Sequence, residues 1–332
     1  MLAFIPWDVS PIIAEIGPFT LRWYGLLFAA GFIIGSFILS HVYKSEKVSP
    51  RWVDVITVYV LLGTVLGARL GHVLFYDWEQ YRDNLWEVLK IWKGGLASHG
   101  ATLGILLAVW LFSRKNRFSY LWTLDRIVLV VAVGGALIRL GNLMNSEIVG
   151  EPTQQSWAFL FPRDVEHLET AVTPLPAGAR LVELTRTADR SWETRMLPEG
   201  AAPAPGTDVR MVVPRHPTQI YEALFCVFLF ALLYSLWNRT KENTPRGLLF
   251  GLFVTLLFSF RFSVEFLKEN QVAFEDQLPL NMGQVLSIPL IFVGLVVLLT
   301  ARRRPGNPND APRDLGLKDA PAQKPLPVQM KR

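Results

Sequence analysis

The chain of 332 residues is 51% hydrophobic and only 18% charged, with 21 Phe and 11 Trp. Such a composition excludes an ordinary soluble enzyme and specifies a polytopic membrane protein. The formal charge of +5 sits in short connections and at the C-terminus, so it reports topology and no nucleic-acid partner. The single cysteine, Cys226, excludes a disulfide framework and a Cys/His metal cluster, and neither a metal nor a cofactor is expected.

The opening Met1–Asp8 lacks a basic n-region and a small-residue cleavage site, so the first apolar span is expected to be retained. A helix needs about 20 predominantly apolar residues to cross the hydrocarbon core. The sequence predicts seven, near 20–42, 52–75, 95–113, 119–140, 217–237, 247–266 and 282–301. Lys44, Lys47 and Arg51 follow the first span, Arg114, Lys115 and Arg117 the third, Arg239, Lys241 and Arg246 the fifth, and Arg302, Arg303 and Arg304 the seventh, while the alternate connections mix signs. The positive-inside rule then predicts an outer N-terminus and a cytoplasmic C-terminus.

The fold expected is all-α and polytopic, a membrane domain over 1–301 with an insertion at 151–216. Short alternating segments at Ala179–Thr185 and Asp208–Val213, parted by prolines and glycines, predict a small extracytoplasmic subdomain with β-hairpins. From Pro305 the chain has no apolar period, so 302–332 is expected to be a disordered cytoplasmic tail.

In this topology the polar residues collect toward the outer ends of the spans: Tyr24, His99, Arg139 with Asn142, His216, and Arg261 with Glu265. Ionisable groups at membrane depth are costly and mark functional sites. Arg139 and Asn142, three apart, share a face if the fourth span stays helical that far. Two arginines suit a phosphate, because the guanidinium stays charged and offers forked donors. The competing reading is snorkelling of both arginines, with an intrahelical pair between Arg261 and Glu265. His99 lies among Gly94, Gly95, Gly100 and Gly104, either as a base or as a hydrogen-bonded histidine at a helix start. No H-x-x-x-H or H-E-x-x-H spacing occurs, which disfavours a metalloprotease. A transporter would place ionisable groups near the midplane in paired repeats; the only internal echo is R-L-G at 69–71 and 139–141.

The motifs W-Y-G (23–25), G-G-L-A-S-H-G (94–100), R-L-G-N-L-M-N-S-E-I-V-G (139–150), H-P-T-Q-I-Y-E (216–222), R-F-S-V-E-F (261–266) and N-M-G-Q (281–284) stand in an order that resembles the prolipoprotein diacylglyceryl transferase family, over about 21–299. The resemblance implies a seven-helix enzyme of the bacterial inner membrane with its site toward the periplasm. It further implies transfer of the diacylglyceryl group of phosphatidylglycerol to the lipobox cysteine thiol of a prolipoprotein signal peptide, giving a thioether and glycerol 1-phosphate. By the same resemblance Tyr24, His99, Arg139, Asn142, Glu147, Arg261 and Glu265 occupy positions that matter. His99 is then the candidate thiol base, with Glu147 or Glu265 as alternatives, and Arg139, Arg261, Tyr24 and Asn142 bind the lipid. The chain departs from the family pattern at Ile138, Leu143 and Leu257. A tyrosine usual at the last of these is missing, and no role for its hydroxyl carries over.

Overall fold

The computed structural model describes residues 5–17, 19–75, 77–82, 85–89, 95, 97–153, 155–161, 163, 180–186, 192–197, 209–211, 214–268 and 280–312. Seven long helices dominate: α1 (Trp23–Ser45), α2 (Arg51–Phe75), α4 (Ser98–Asn116), α5 (Tyr120–Met144), α6 (Thr218–Thr240), α7 (Leu248–Val264) and α8 (Met282–Ala301), with a short α3 (Trp78–Tyr81) after α2. Six of them are long and apolar enough to cross a membrane. The exception is α4, whose 19 residues begin Ser-His-Gly and end Arg-Lys-Asn. Exposed Phe37, Leu74, Leu103, Phe228, Phe292 and Leu299 stud the helix surfaces, as expected of a fold solvated by lipid, where backbone polar groups must bond within the helix. The protein is therefore the polytopic helical membrane protein that the composition demands.

Two compact units are distinguished: residues 1–35, 129–235 and 251–299 form one, and 36–128, 236–250 and 300–332 the other.

In the first unit the N-terminal segment adds strands that the sequence reading did not anticipate. β2 (Ile12–Ile16) and β3 (Phe19–Arg22) form an antiparallel hairpin leading straight into α1. β1 (Ile5–Pro6) pairs in parallel with β4 (Phe159–Leu160). Trp7 then packs on Leu143, Val149, Phe159 and Phe161 and donates from Nε1 to the Leu143 carbonyl at 2.8 Å. The N-terminus thus clamps the turn that follows α5. The insertion carries β5 (Arg180–Arg186), β6 (Trp192–Leu197) and β7 (Val209–Met211) in one antiparallel sheet of order β5-β6-β7. Two of these strands fall on the expected segments, and β6 is additional.

In the second unit α2 and α4 meet through small residues. A Cβ on Gly100 or Gly104 would run into the backbone oxygens of Gly67 and Gly63, so these two glycines bring two backbones together. Glu46 and Arg126 form a fully buried pair at 2.9 Å. Glu46 also accepts from Trp237 Nε1 at 2.6 Å, and the guanidinium lies over Trp122 at 4.3 Å. Asp125 accepts from the backbone N–H groups of Gly247 and Phe250, supplying the acceptor that the first turn of α7 lacks.

Of the segment expected to be a disordered tail, residues 302–312 are described, while 313–332 lies outside the described residues. Arg304 accepts at its carbonyl from Arg246 N, Asp310 accepts at its carbonyl from Ser119 N, and the Asp310 carboxylate pairs with Arg246 at 3.2 Å. Asn307 and Asp310 form a reciprocal capping box about Pro308–Asp310. These local bonds hold a segment that has no apolar period to advertise it.

Candidate functional site

The R-L-G-N run lies on the last turns of α5, which stays helical to Met144, so Arg139 and Asn142 do share a face. Arg139 Nη1 donates to Asn142 Oδ1 at 3.4 Å, and Asn142 Nδ2 donates to Glu147 Oε2 at 3.3 Å. Asn145 Nδ2 donates to the other Glu147 oxygen at 3.1 Å. Ser146 and Ile148, at φ 55° and 56°, turn the chain tightly and leave the Glu147 side chain exposed.

On its other edge Arg139 Nε lies 2.9 Å from Glu222 Oε2, and Glu222 Oε1 accepts from Lys268 Nζ at 2.9 Å. Lys268 Nζ also stands 3.6 Å from Glu265 Oε2. Arg139, Glu222, Lys268 and Glu265 thereby form one alternating chain of charges, with all but Arg139 almost wholly buried. Burial pulls the Lys268 ammonium below its ordinary value, while Glu222 and, less strongly, Glu265 pull it back up. Buried charges are tolerated in this way, each beside a charge of opposite sign.

Lys268 sits in one of the connections that the sequence shows only as mixed in sign, and Glu222 has no assignment in the H-P-T-Q-I-Y-E run, so half of this chain was missed in the sequence. The sequence also allowed a pair between Arg261 and Glu265. The pair does not form, because α7 ends at Val264 and Glu265 opens a 3₁₀ turn to Leu267 that turns its carboxylate to Lys268. Among the described residues Arg261, half-buried on the last turn of α7, has neither an ion-pair nor a hydrogen-bond partner.

The remaining motif residues build the walls. In N-M-G-Q, Asn281 Oδ1 accepts from Gln284 N, and Gln284 Oε1 accepts from Asn281 N, a reciprocal cap at the start of α8. A Cβ on the intervening Gly283 would come within 2.6 Å of the Glu265 carboxylate, so this glycine makes room for that group. Gly141 does the same for Tyr24, whose ring lies 2.8 Å from where its Cβ would stand. Gly150 is wedged between the carbonyls of His216 and Leu267. Its N–H donates to His216 O, and Glu151 N donates to Leu267 O. The end of the signature run thereby ties the entrance of α6 to the turn carrying Lys268.

Thr218 Oγ1 and Gln219 Nε2, at the start of α6, donate to the carbonyls of Ile148 and Glu147 at 3.0 and 2.6 Å. His216 Nδ1 lies 3.1 Å from the Tyr221 hydroxyl, and burial pushes its imidazole below the usual 6.5. His99 belongs to the second unit, where it stands exposed in the first turn of α4. Arg69 of the other R-L-G copy is spent on carbonyls of Glu87, Val88 and Gly95, so the two copies do different work. No group of three or more His, Cys, Asp or Glu suited to a metal occurs among the described residues.

Residues 11–300 match the family model described as prolipoprotein diacylglyceryl transferase. A phosphatidylglycerol–prolipoprotein diacylglyceryl transferase of Tolumonas auensis is 37% identical over 298 residues, covering 90% of this chain and 97% of its own. Proteins of the same description from Chloroherpeton thalassium and Porphyromonas gingivalis are each 39% identical, over 300 and 310 residues, covering 89% and 91% of this chain and 94% and 96% of theirs. The polar chain running from Arg139 to Glu265 falls wholly within this match, three of its four members in the quoted motifs, and the chain belongs to the prolipoprotein diacylglyceryl transferase family as a membrane enzyme of phosphatidylglycerol–prolipoprotein diacylglyceryl transfer.

Proposed function

We propose that Arg139 and Arg261 hold the phosphate of phosphatidylglycerol while the lipobox cysteine of a prolipoprotein signal peptide attacks. The thiolate sulfur bonds to the glyceryl carbon that carries the phosphate ester. The C–O bond breaks, its electron pair stays on the phosphate oxygen, and glycerol 1-phosphate leaves. Diacylglyceryl cysteine, a thioether, remains on the peptide.

A free thiol has a pKa of about 8.5, so its proton needs a taker near neutral pH. His99 takes it, with Glu147 the exposed carboxylate that could replace it. Arg261 carries a guanidinium uncommitted to any described partner, and this observation above all supports the phosphate role. Arg139, fixed by Glu222 and Asn142, presents a preorganised donor to the charge that grows on the leaving oxygen. Glu265 and Lys268 act by holding Glu222, and so Arg139, in place. Tyr24 and Asn142 line the lipid side. The enzyme lies in the bacterial inner membrane with the cluster toward the periplasm, a reading supported by the basic connections at the opposite helix ends.

Release of glycerol 1-phosphate from phosphatidylglycerol, measured with a synthetic lipobox peptide, tests the assignment. Arg261→Gln is expected to slow it by about 100- to 1000-fold, the usual cost of losing a donor aimed at developing charge. Near-normal release would remove Arg261 from the site. His99→Ala turning over the peptide at the wild-type rate would likewise move the base to Glu147.

A further inference from the structure

Beside the Arg139 chain, three buried oxygens outside the charged groups receive no hydrogen bond from the described residues: the Gln219 and Asn145 amide oxygens and the Ser146 hydroxyl. Gln219 and Ser146 are buried as whole residues, Gln219 completely, whereas Asn145 is partly exposed. Buried polar groups are nearly always matched, and one left unmatched is costly. The orientation of the Gln219 amide is fixed by its neighbour. Its nitrogen faces the Glu147 carbonyl at 2.6 Å, and the reverse arrangement would set two oxygens against each other. The far end is therefore an acceptor.

Position ties these acceptors to the cluster. Gln219 stands one helical turn before Glu222 on the same face of α6, and Glu222 pairs with Arg139. On its other side Gln219 holds the backbone of Glu147, whose carboxylate receives Asn142 in the chain from Arg139. Ser146 is the residue before Glu147 in that turn.

What the Gln219 oxygen needs is a proton donor, and the Ser146 hydroxyl can accept from one as well. An ionised phosphate diester has no proton to give. An ammonium head group has protons too, but Glu222, Glu265 and Glu147, the carboxylates that would hold it, already take Arg139, Lys268, Asn142 and Asn145. A neutral polyol supplies hydroxyl protons and needs no carboxylate. We infer that Gln219 and Ser146 are specificity-determining residues that accept hydrogen bonds from the head-group hydroxyls of the donor lipid. The inference rests on the reading that the Arg139 cluster holds the lipid phosphate. The same contacts stay with the departing glycerol phosphate, so they act on turnover as well as on binding.

The test compares phosphatidylglycerol with phosphatidylpropanol, which keeps the phosphodiester and replaces glycerol by a propyl group without hydroxyls. The variants are Gln219→Met and Ser146→Gly; glycine accepts the φ of 55° at position 146 without strain. Wild type should favour phosphatidylglycerol by roughly tenfold or more in kcat/KM, the scale of one or two matched hydrogen bonds. Each variant should bring the ratio toward one, losing more rate on phosphatidylglycerol than on phosphatidylpropanol. Equal losses on both lipids would reduce these residues to supports of the Glu147 turn and overturn the inference, as would a wild type indifferent to the head group. Arg261→Gln losing no rate on either lipid would instead overturn the phosphate assignment on which the inference stands.

Discussion

Arg139 and Arg261 carry the same charge in different company, and their variants should differ accordingly. Arg261 has no described partner, so Arg261→Gln should lose activity while its thermal midpoint stays within about a degree of wild type, as for a substitution that breaks no network. Arg139→Gln should lose both, because Glu222 then keeps only Lys268. Lys268→Met strands the buried Glu265 carboxylate and leaves Glu222 to Arg139 alone, and should cost about 3–5 kcal/mol of stability, the scale for breaking a buried pair; adding Glu265→Gln should recover part of it in the same thermal melts. His216 gives a pH signature. Its folded pKa lies below 6.5, so between those values the unfolded chain binds more protons and stability falls as pH drops. A His216→Gln variant should lose less stability than wild type on going from about pH 7 to pH 5, a window set by the ordinary histidine pKa. Arg139 was legible in the sequence because an arginine among asparagines at a span's end has no cheap explanation. Lys268 was not, since a lysine just past a span looks like any other loop charge until a turn carries it inward.

Helix α7 shows at the element scale why spacing alone misled. Residues 261 and 265 are four apart, yet the 3₁₀ turn at Glu265–Leu267 redirects the carboxylate, and no local pattern marks the change. Gly283 is its counterpart on α8. Gly283→Ala should fold normally, since the clash is with the end of a flexible side chain, but should move the Glu265 carboxylate and lower turnover; an unchanged kcat would show that Glu265 need not sit there. Gly104→Val is the opposite case. Its Cβ meets the backbone of Gly63, which cannot swing away, so α2 and α4 must part and the protein should lose stability in thermal melts. The spans themselves were legible to within a few residues at most ends, because lipid enforces length and apolarity. The hairpin over Ile12–Arg22 was not, its strands being five and four residues long and running directly into α1.

The whole molecule joins a membrane-spanning scaffold to one polar chain assembled from α5, α6 and the turn after α7. Its orientation is open to direct test. Cys226 is buried, so single cysteines introduced at Lys47 and at Glu151, both exposed, can be labelled with an impermeant maleimide in intact spheroplasts. Only position 151 should react. The broad function was legible because six separated motifs recur in family order, whereas the pairing among them required the fold. The central claim is that this cluster drives thioether formation. It is tested most directly by mass spectrometry of a lipobox peptide incubated with phosphatidylglycerol and either the purified wild type or Arg261→Gln. The account predicts a diacylglyceryl thioether adduct with wild type and its near absence with the variant. Equal adduct from both proteins would contradict it.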